Sequence, residues 1–326
     1  MSPFFMAWHR LLSFVTASYR FVSLDTVLDS QRSMIEKGYD MTTRPLIFTD
    51  IDGTLLDHFD YSFSDAIEVI EALNERHIPI IANTSKTFAE MEKLQQTIGF
   101  NSPFISENGA VVYIPIGYFD QQPEGTFTEG YYWVKEFCQP RQYWLELLNQ
   151  HAQVFNDDFI GFSSLSVEAL CELTDLSPDN AKLALIRHYA EPVLWQGNEA
   201  NKQAFIKLMT RVGANTLQGG RFLHVGGDSD KGKAMNWLAD VYSKQYNAPV
   251  TTIALGDSGN DNAMLEAADL AIQIKSPVHP FPILTTPKQS IKSNECGPKG
   301  WAECIKKTLL SSSAESQLNQ LPFGGA

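Results

Sequence analysis

The stretch from Leu46 to Asp57, LIFTDIDGTLLD, decides how the rest of the chain is read. An apolar run, Leu46-Ile47-Phe48, leads into two aspartates one residue apart, Asp50 and Asp52, then Gly53 and Thr54. Alternate residues of an extended chain face the same side, so the spacing predicts that Asp50 and Asp52 point together. Two carboxylates so close repel unless a positive charge lies between them or one keeps a proton. In a parallel α/β chain, charge at a strand end falls on the carboxyl edge of the sheet, where ligands bind. An acidic turn that only closes a strand also uses Asp and Gly, so the segment needs company before it counts as a site.

The downstream chain supplies the frame. Ser64 is expected to cap a helix that carries Ala66, Ile67, Ile70 and Leu73 on one face. Ile78 to Ala82 is apolar throughout, as a strand buried on both faces is. It stops at Asn83-Thr84-Ser85-Lys86-Thr87, ahead of a helix with Phe88, Met91, Leu94 and Ile98 inward and Gly99 at its end. A third strand, Pro103 to Ser106, ends at Glu107-Asn108-Gly109. This β-α-β-α-β order predicts a parallel sheet with right-handed crossovers. The same grammar returns late, with a helix over Lys233 to Tyr246, a strand over Val250 to Leu255, a helix over Asp261 to Ala268 and a strand over Leu270 to Ile274. Between the halves, helical stretches (Tyr143 to Val154, Ser166 to Thr174, Ser177 to Ile186, Asn201 to Val212) alternate with short strands near Tyr189 to Gln196 and Arg221 to Val225. The expected fold is α/β, a Rossmann-like parallel-sheet core with an inserted α+β cap. Residues 44–126 form the first part of the core, 127–221 the cap and 222–310 the second part of the core.

At 326 residues the chain is long enough for two hydrophobic cores. Hydrophobic residues at 44% and aromatics at 11% mark an ordinary globular protein. A formal net charge of -13 argues against nonspecific binding to nucleic acid or anionic membranes. An anionic small-molecule substrate stays open, because local cations and a metal ion reverse the field in one pocket. Cys138, Cys171, Cys296 and Cys304 are scattered, with no CxxC pair and no zinc-ligand spacing, which fits reduced thiols in a cytoplasmic protein. No apolar run reaches the length of a membrane span. Residues 1–43 lack a clean helical stripe, and the apolar run from Leu11 to Ala17 is short with no cleavage site after it. They read as a loosely attached extension, or as sequence upstream of a true start at Met41; residues 311–326, rich in Ser and Gln, read as a frayed tail.

Three further clusters fall at sheet edges. Thr84 and Ser85 offer hydroxyls and backbone amides at a helix start, suited to phosphate oxygens, or to a plain helix cap. Lys86 is either a phosphate-side contact or a solvated residue. Lys231 and Lys233 follow Gly226-Gly227-Asp228-Ser229-Asp230, and either one could neutralise a phosphoryl group. Gly256-Asp257-Ser258-Gly259-Asn260-Asp261 closes a strand and would bring Asp257 and Asp261 to the edge that carries Asp50 and Asp52. Two or three carboxylates there suit Mg²⁺, which takes hard oxygen ligands and keeps several waters.

In this order, DIDGT, the Thr84 hydroxyl, the lysine of DKGKA and GDSGND resemble the four motifs of the haloacid-dehalogenase-like phosphohydrolase superfamily. The resemblance covers Pro45 to about Lys307, and the insert between the second and third motifs resembles the α/β cap of its Cof-like and sucrose-phosphatase branch. NTSKT (Asn83 to Thr87), ENGA (Glu107 to Ala110), RHYAEPVLW (Arg187 to Trp195), GGRFLHVGGDSDKGKA (Gly219 to Ala234) and GPKGW (Gly297 to Trp301) are most similar to the mannosyl-3-phosphoglycerate phosphatase family. Where that family often has Ser before Glu-Pro, this chain has Ala190, which bears on its cap contacts.

The resemblance implies hydrolysis of mannosyl-3-phosphoglycerate to mannosylglycerate and phosphate, as a step toward a compatible solute. Asp50 would be the nucleophile, forming an aspartyl-phosphate, and Asp52 the acid and then the base. Mg²⁺ would be held by Asp50, the Asp52 main-chain carbonyl and Asp257. Thr84 and Lys231 would bind the transferring oxygens, and Asn260 and Asp261 would orient Lys231 or outer waters. Arg187, Arg221 and His224 are candidates to hold the glycerate carboxylate, each with a bland alternative in an ion pair or a buried ring. Glucosyl-3-phosphoglycerate is the alternative substrate, and a general Cof-like sugar-phosphate phosphatase a wider one. A phosphomutase, or a non-catalytic sugar-phosphate binder, would keep the same fold.

Overall fold

A computed structural model of the chain describes residues 43–311, apart from 175 and 220. The expected extension (save Thr43) and the expected tail (save Ser311) lie outside these residues. Strand β1 (Arg44–Thr49) holds Leu46, Ile47 and Phe48 wholly buried, as an apolar run flanked by partners on both edges must be. A 3-10 turn (Ser64–Ala66) then leads into α1 (Ile67–Glu75), and neither has a side-chain cap bond, so Ser64 does not play the expected role. The inward face of α1 is Ala66, Val69, Ile70 and Leu73; Ile67 is exposed and Val69 takes the place expected of it. Strand β2 (Ile80–Ala82) follows, then α2 (Phe88–Ile98), whose Thr87 makes a full capping box with Glu90 and whose Gly99 ends it in the left-handed region at φ 81°.

Strand β3 (Phe104–Ser106) opens a second sheet with β4 (Val111–Pro115), β5 (Phe127–Glu129) and β6 (Tyr132–Glu136), antiparallel in the order β3-β4-β6-β5. A single parallel bridge between Asn83 and Ile105 ties this sheet to the end of β2. One of its faces stacks Phe104, Tyr113 and Tyr132 against Phe88 of α2, with ring centroids 4.6 to 6.0 Å apart.

A third sheet lies in the insert. Its elements are α3 (Arg141–His151), β7 (Phe159–Gly161), α4 (Val167–Thr174), α5 (Pro178–Leu185), β8 (Glu191–Trp195), α6 (Glu199–Arg211), β9 (Asn215–Gln218) and β10 (Leu223–Gly226). The strands are antiparallel in the order β7-β8-β10-β9 over a core of Trp144, Leu147, Val193, Phe205, Met209 and Val225. Strand pairing therefore joins 127–136 to β4, and 223–226 to the insert, whereas the change in sequence pattern suggested cuts at 127 and 221.

The chain then returns to β1. Helix α7 (Lys231–Tyr246), β11 (Val250–Gly256), α8 (Asn262–Ala267), β12 (Leu270–Lys275), β13 (Ser290–Cys296) and α9 (Gly297–Leu309) complete the core. The parallel sheet runs β13-β12-β11-β1-β2. Helix α7 packs Ala234, Met235, Leu238 and Tyr242 against Leu46, Phe48, Ile105 and Val112, which joins the parallel sheet to the second one. Among the described residues no helix is long and apolar enough to cross a membrane.

Candidate active site

The ladder runs one bond past Thr49, where the Asp50 amide donates to the Leu255 carbonyl (2.8 Å), and the chain then turns: the Leu56 amide donates to the Ile51 carbonyl (2.8 Å) and Gly53 takes φ 77°. The turn begins beyond Asp50, so regular strand geometry does not carry through to Asp52. Asp50 and Asp52 still line one cavity of about 270 Å³, with different partners. Asp50 Oδ1 accepts from Lys231 Nζ at 2.6 Å, while Asp52 Oδ2 pairs with Lys86 Nζ at 2.8 Å. The other oxygen of Asp52, Oδ1, is buried without a partner.

Lys231 opens α7, where Asp230 caps the helix by accepting from the Lys233 amide at 2.8 Å. Its ammonium is buried and donates at 2.6 Å both to Asp50 and to Asp261. Lys233 instead pairs with Asp228 and is 47% exposed, so Lys231 is the lysine at Asp50. Asp261 ends a 3-10 turn after β11, and its Oδ2 accepts the amides of Asp257 (3.1 Å) and Ser258 (3.0 Å). Asp257 accepts from the Thr54 hydroxyl at 3.2 Å. Gly53 is what lets that carboxylate approach: a Cβ there would lie 2.8 Å from Asp257 Oδ2.

One carboxylate oxygen from each of Asp50, Asp257 and Asp261 falls within 4.8 Å of the others. Burial pushes the Asp50 carboxyl well above the usual range, Asp261 adds to the shift, and Lys231 opposes it. Burial likewise raises Asp257 to about 7, with Asp261 adding and hydrogen bonds from Ser276 and Thr54 opposing. A single ammonium does not balance three buried carboxylates. Hard oxygen donors that converge with surplus negative charge fit a divalent cation.

The loop after β2 adds the next wall. The Asn83 side chain donates to the Lys231 carbonyl at 2.9 Å, which fixes this loop to the start of α7. Thr84 is buried; its amide donates to the Ile105 carbonyl (3.0 Å) and its hydroxyl oxygen accepts from the Lys86 amide (3.2 Å). The helix cap is Thr87, so Thr84 and Ser85 are not the cap of α2. Ser85 and Lys86 line the cavity, and Thr84 is not among its lining residues.

Arg187 and His224 line the same cavity from the insert. Arg221 does not: it is exposed, and its guanidinium donates to the Leu173 carbonyl. Burial, with the Arg187 charge adding to it, pushes His224 down to about 3, so the ring is neutral and offers a hydrogen bond but no charge. Its Nδ1 is buried without a partner. Asn260 also lines the cavity, and its side-chain amide donates to Asn108 Oδ1 at 3.2 Å.

Several side chains here were not singled out from sequence. Thr54 sits inside the DIDGT run itself. Tyr61, at φ 58°, lines the cavity with its ring 5.6 Å from Lys86 Nζ, and no local pattern marks it. Glu107 stood out in sequence as a strand end and as the start of the ENGA run, with no role attached to its side chain. Its carboxylate accepts the amides of His188 (2.7 Å), Tyr189 (3.1 Å) and Ala190 (3.1 Å) and lies 3.7 Å from Arg187 Nε. At Ala190 the backbone amide makes that contact.

Residues 47–158 match the model of a family described as haloacid dehalogenase-like hydrolase, and residues 216–279 match that of sucrose-6F-phosphate phosphohydrolase. A glucosyl-3-phosphoglycerate/mannosyl-3-phosphoglycerate phosphatase from Methanococcoides burtonii is 37% identical over 263 residues, 80% of this chain and 95% of that protein. A protein of the same name from Persephonella marina is 36% identical over 267 residues, 81% of this chain and 97% of the relative. In fold, the chain resembles a phosphatase of the haloalkanoate (HAD) enzyme superfamily from Bacteroides thetaiotaomicron, with TM-score 0.57 and 17% identity over 82% of this chain and 95% of the other. With that length of similarity, and with Asp50, Lys231, Asp257 and Asp261 gathered at one sheet edge, the chain belongs to the haloacid dehalogenase-like hydrolases, in the family of glucosyl-3-phosphoglycerate/mannosyl-3-phosphoglycerate phosphatases.

Proposed function

We propose that the protein hydrolyses the phosphate ester of a glycosyl-3-phosphoglycerate, mannosyl or glucosyl, in a Mg²⁺-dependent reaction through an aspartyl-phosphate on Asp50. The observation that carries this reading is the buried Lys231, bonded at 2.6 Å to Asp50 and to Asp261 beside Asp257. An Asp50 oxygen attacks phosphorus as the bond to the glycerate oxygen breaks, and Asp52 gives that departing oxygen a proton. Asp52 then takes a proton from the water that attacks the aspartyl-phosphate, which releases inorganic phosphate and restores Asp50. Lys86 holds Oδ2 of Asp52 at 2.8 Å, which fixes the carboxylate at the cavity wall for these transfers. Lys231, bonded to Asp50, would steady phosphoryl oxygens while Asp261 holds it in position, and Thr84, buried outside the cavity lining, is the weaker candidate for that role.

Asp50 and Asp257, with the main-chain carbonyl of Asp52, would hold Mg²⁺; when bound it supplies positive charge that offsets repulsion between carboxylates and phosphate. On the glycerate side, Arg187 offers charge and His224 a neutral hydrogen bond. Arg221 is a weaker candidate, since it lies outside the cavity lining. Free thiols at Cys138, Cys171, Cys296 and Cys304 support a cytoplasmic setting.

The deciding experiment is phosphate release with Mg²⁺ from mannosyl-, glucosyl- and unglycosylated 3-phosphoglycerate and from common sugar phosphates. A clear preference for the glycosylated phosphoglycerates is expected. Equal rates on every ester would reduce the reading to a general phosphatase, and isomerised sugar phosphate in place of free phosphate would make it a mutase.

A further inference from the structure

Glu107, Asn108 and Gly109 take φ values of 50°, 59° and 86°, three consecutive residues in the left-handed region. For Glu and Asn this conformation is costly, and it persists only where surrounding contacts enforce it. Each residue of the turn meets a different part of the site. Gly109 abuts the Asp230 carbonyl so closely that a Cβ would lie 2.1 Å from its oxygen. Asn108 accepts from Asn260 at 3.2 Å. Glu107, 4% exposed, reaches into the insert and takes the three successive amides of His188, Tyr189 and Ala190, just before β8.

Arg187 extends the link. Its Nε faces Glu107 at 3.7 Å, and its Nη2 donates at 2.7 Å to the carbonyl of Ser85, in the loop that also carries Thr84 and Lys86. A carboxylate that collects consecutive backbone amides makes short, charge-assisted bonds of fixed direction. We propose that Glu107 is the positioning residue that seats the cap over the nucleophile and thereby sets the affinity for the glycosylated part of the substrate. It is absent from the lining of the cavity that holds Asp50 and Asp52, and acts through residues 187–190, which carry Arg187 to that cavity.

The inference rests on the glycosyl-phosphoglycerate reading for its kinetic arm alone. Glu107→Gln keeps the size but turns an NH₂ group toward amide donors, so at least one of the three bonds is lost. With Mg²⁺ present, kcat/KM on mannosyl- or glucosyl-3-phosphoglycerate should fall on the order of 10²-fold, mainly through KM. Turnover of p-nitrophenyl phosphate, which is too short to need the cap, should change less than about fivefold. Hydrogen exchange of the 188–190 amides should quicken about tenfold or more, while that of β1 stays as in the parent. Equal losses on both substrates, or unchanged exchange at 188–190, would overturn the proposal. Should Glu107→Gln not fold, Glu107→Asp carries the same comparison, because its shorter arm keeps the charge but cannot span all three amides. If the parent enzyme shows no preference for glycosylated substrates, the functional reading fails, and the exchange result still decides the role of Glu107.

Discussion

Lys231 carries one positive charge into a space that holds the carboxylates of Asp50 and Asp261, with Asp257 beside them. Lys231→Ala should cost about 10²-fold or more in kcat, as loss of a transition-state donor does. It should also destabilise the fold, by roughly 3–5 kcal/mol, because it leaves buried carboxylates without their counter-ion. Lys233→Ala, at the exposed pair with Asp228, should leave both properties within error. Steady-state kinetics and urea titrations of the two variants check the contrast, and a crippled Lys233→Ala would reverse the assignment. Asp50→Asn should drop turnover below roughly a thousandth of the parent rate. Its metal-free melting temperature should hold or rise, since one member of a repelling cluster is gone. Substantial residual phosphatase activity in that variant would remove Asp50 from the nucleophile's place. These residues were legible because each sits in a short run after an apolar strand. Tyr61 was not, because it sits on left-handed backbone outside any run, and the role of Glu107 within ENGA was not, because it comes from contacts across at least 80 residues of sequence.

The alternation of strand and helix around β1, β2, β11 and β12 could be read from the chain because those strands are apolar on both faces and the helices between them are amphipathic. Strands β7 and β9 escaped for the opposite reason. Each is only three or four residues long and half-exposed, so neither an apolar run nor a clear period of two survives. Strand β13 carries no such signal, because Ser290–Cys296 is polar along most of its length. Helix α2 shows what local signals do specify. Thr87→Ala removes a capping box and should cost about 1 kcal/mol of stability. Gly99→Ala places a Cβ in the left-handed region and should cost roughly 1–2 kcal/mol although the space around it is empty. Both are read as a lower urea midpoint at unchanged slope. Little or no shift for Gly99→Ala would mean that the helix end relaxes into another turn.

The carboxylate cluster also shapes the stability of the whole molecule. A carboxyl whose folded pKa stands above its unfolded one holds more protons when folded. Its contribution is fully present below the unfolded value and is lost as pH rises through the folded one. For Asp257 that window runs from 3.8 to about 7, and Asp50 shifts in the same direction. The metal-free protein should therefore melt several degrees lower at about pH 8 than at about pH 5, by the usual scaling of melting temperature with free energy. Mg²⁺ should raise the melting temperature more at the higher pH, since it binds the deprotonated form. Scanning fluorimetry with and without the ion measures both shifts. A pH-independent effect of Mg²⁺ would detach the cluster from metal binding.

Strand β1 lies between β2 and β11, and its register pairs Ile47 with Ile80 on one side and with Ile253 on the other. The first partner leaves the ribosome about 30 residues after β1 and the second about 200 residues after it. Throughout synthesis of the cap, the strand that ends at the nucleophile has one edge of unpaired amides and carbonyls beside apolar side chains. A nascent chain held at that stage presents a template for foreign strands. The speed at which α7 and β11 are translated thus bears on how much of the enzyme escapes aggregation.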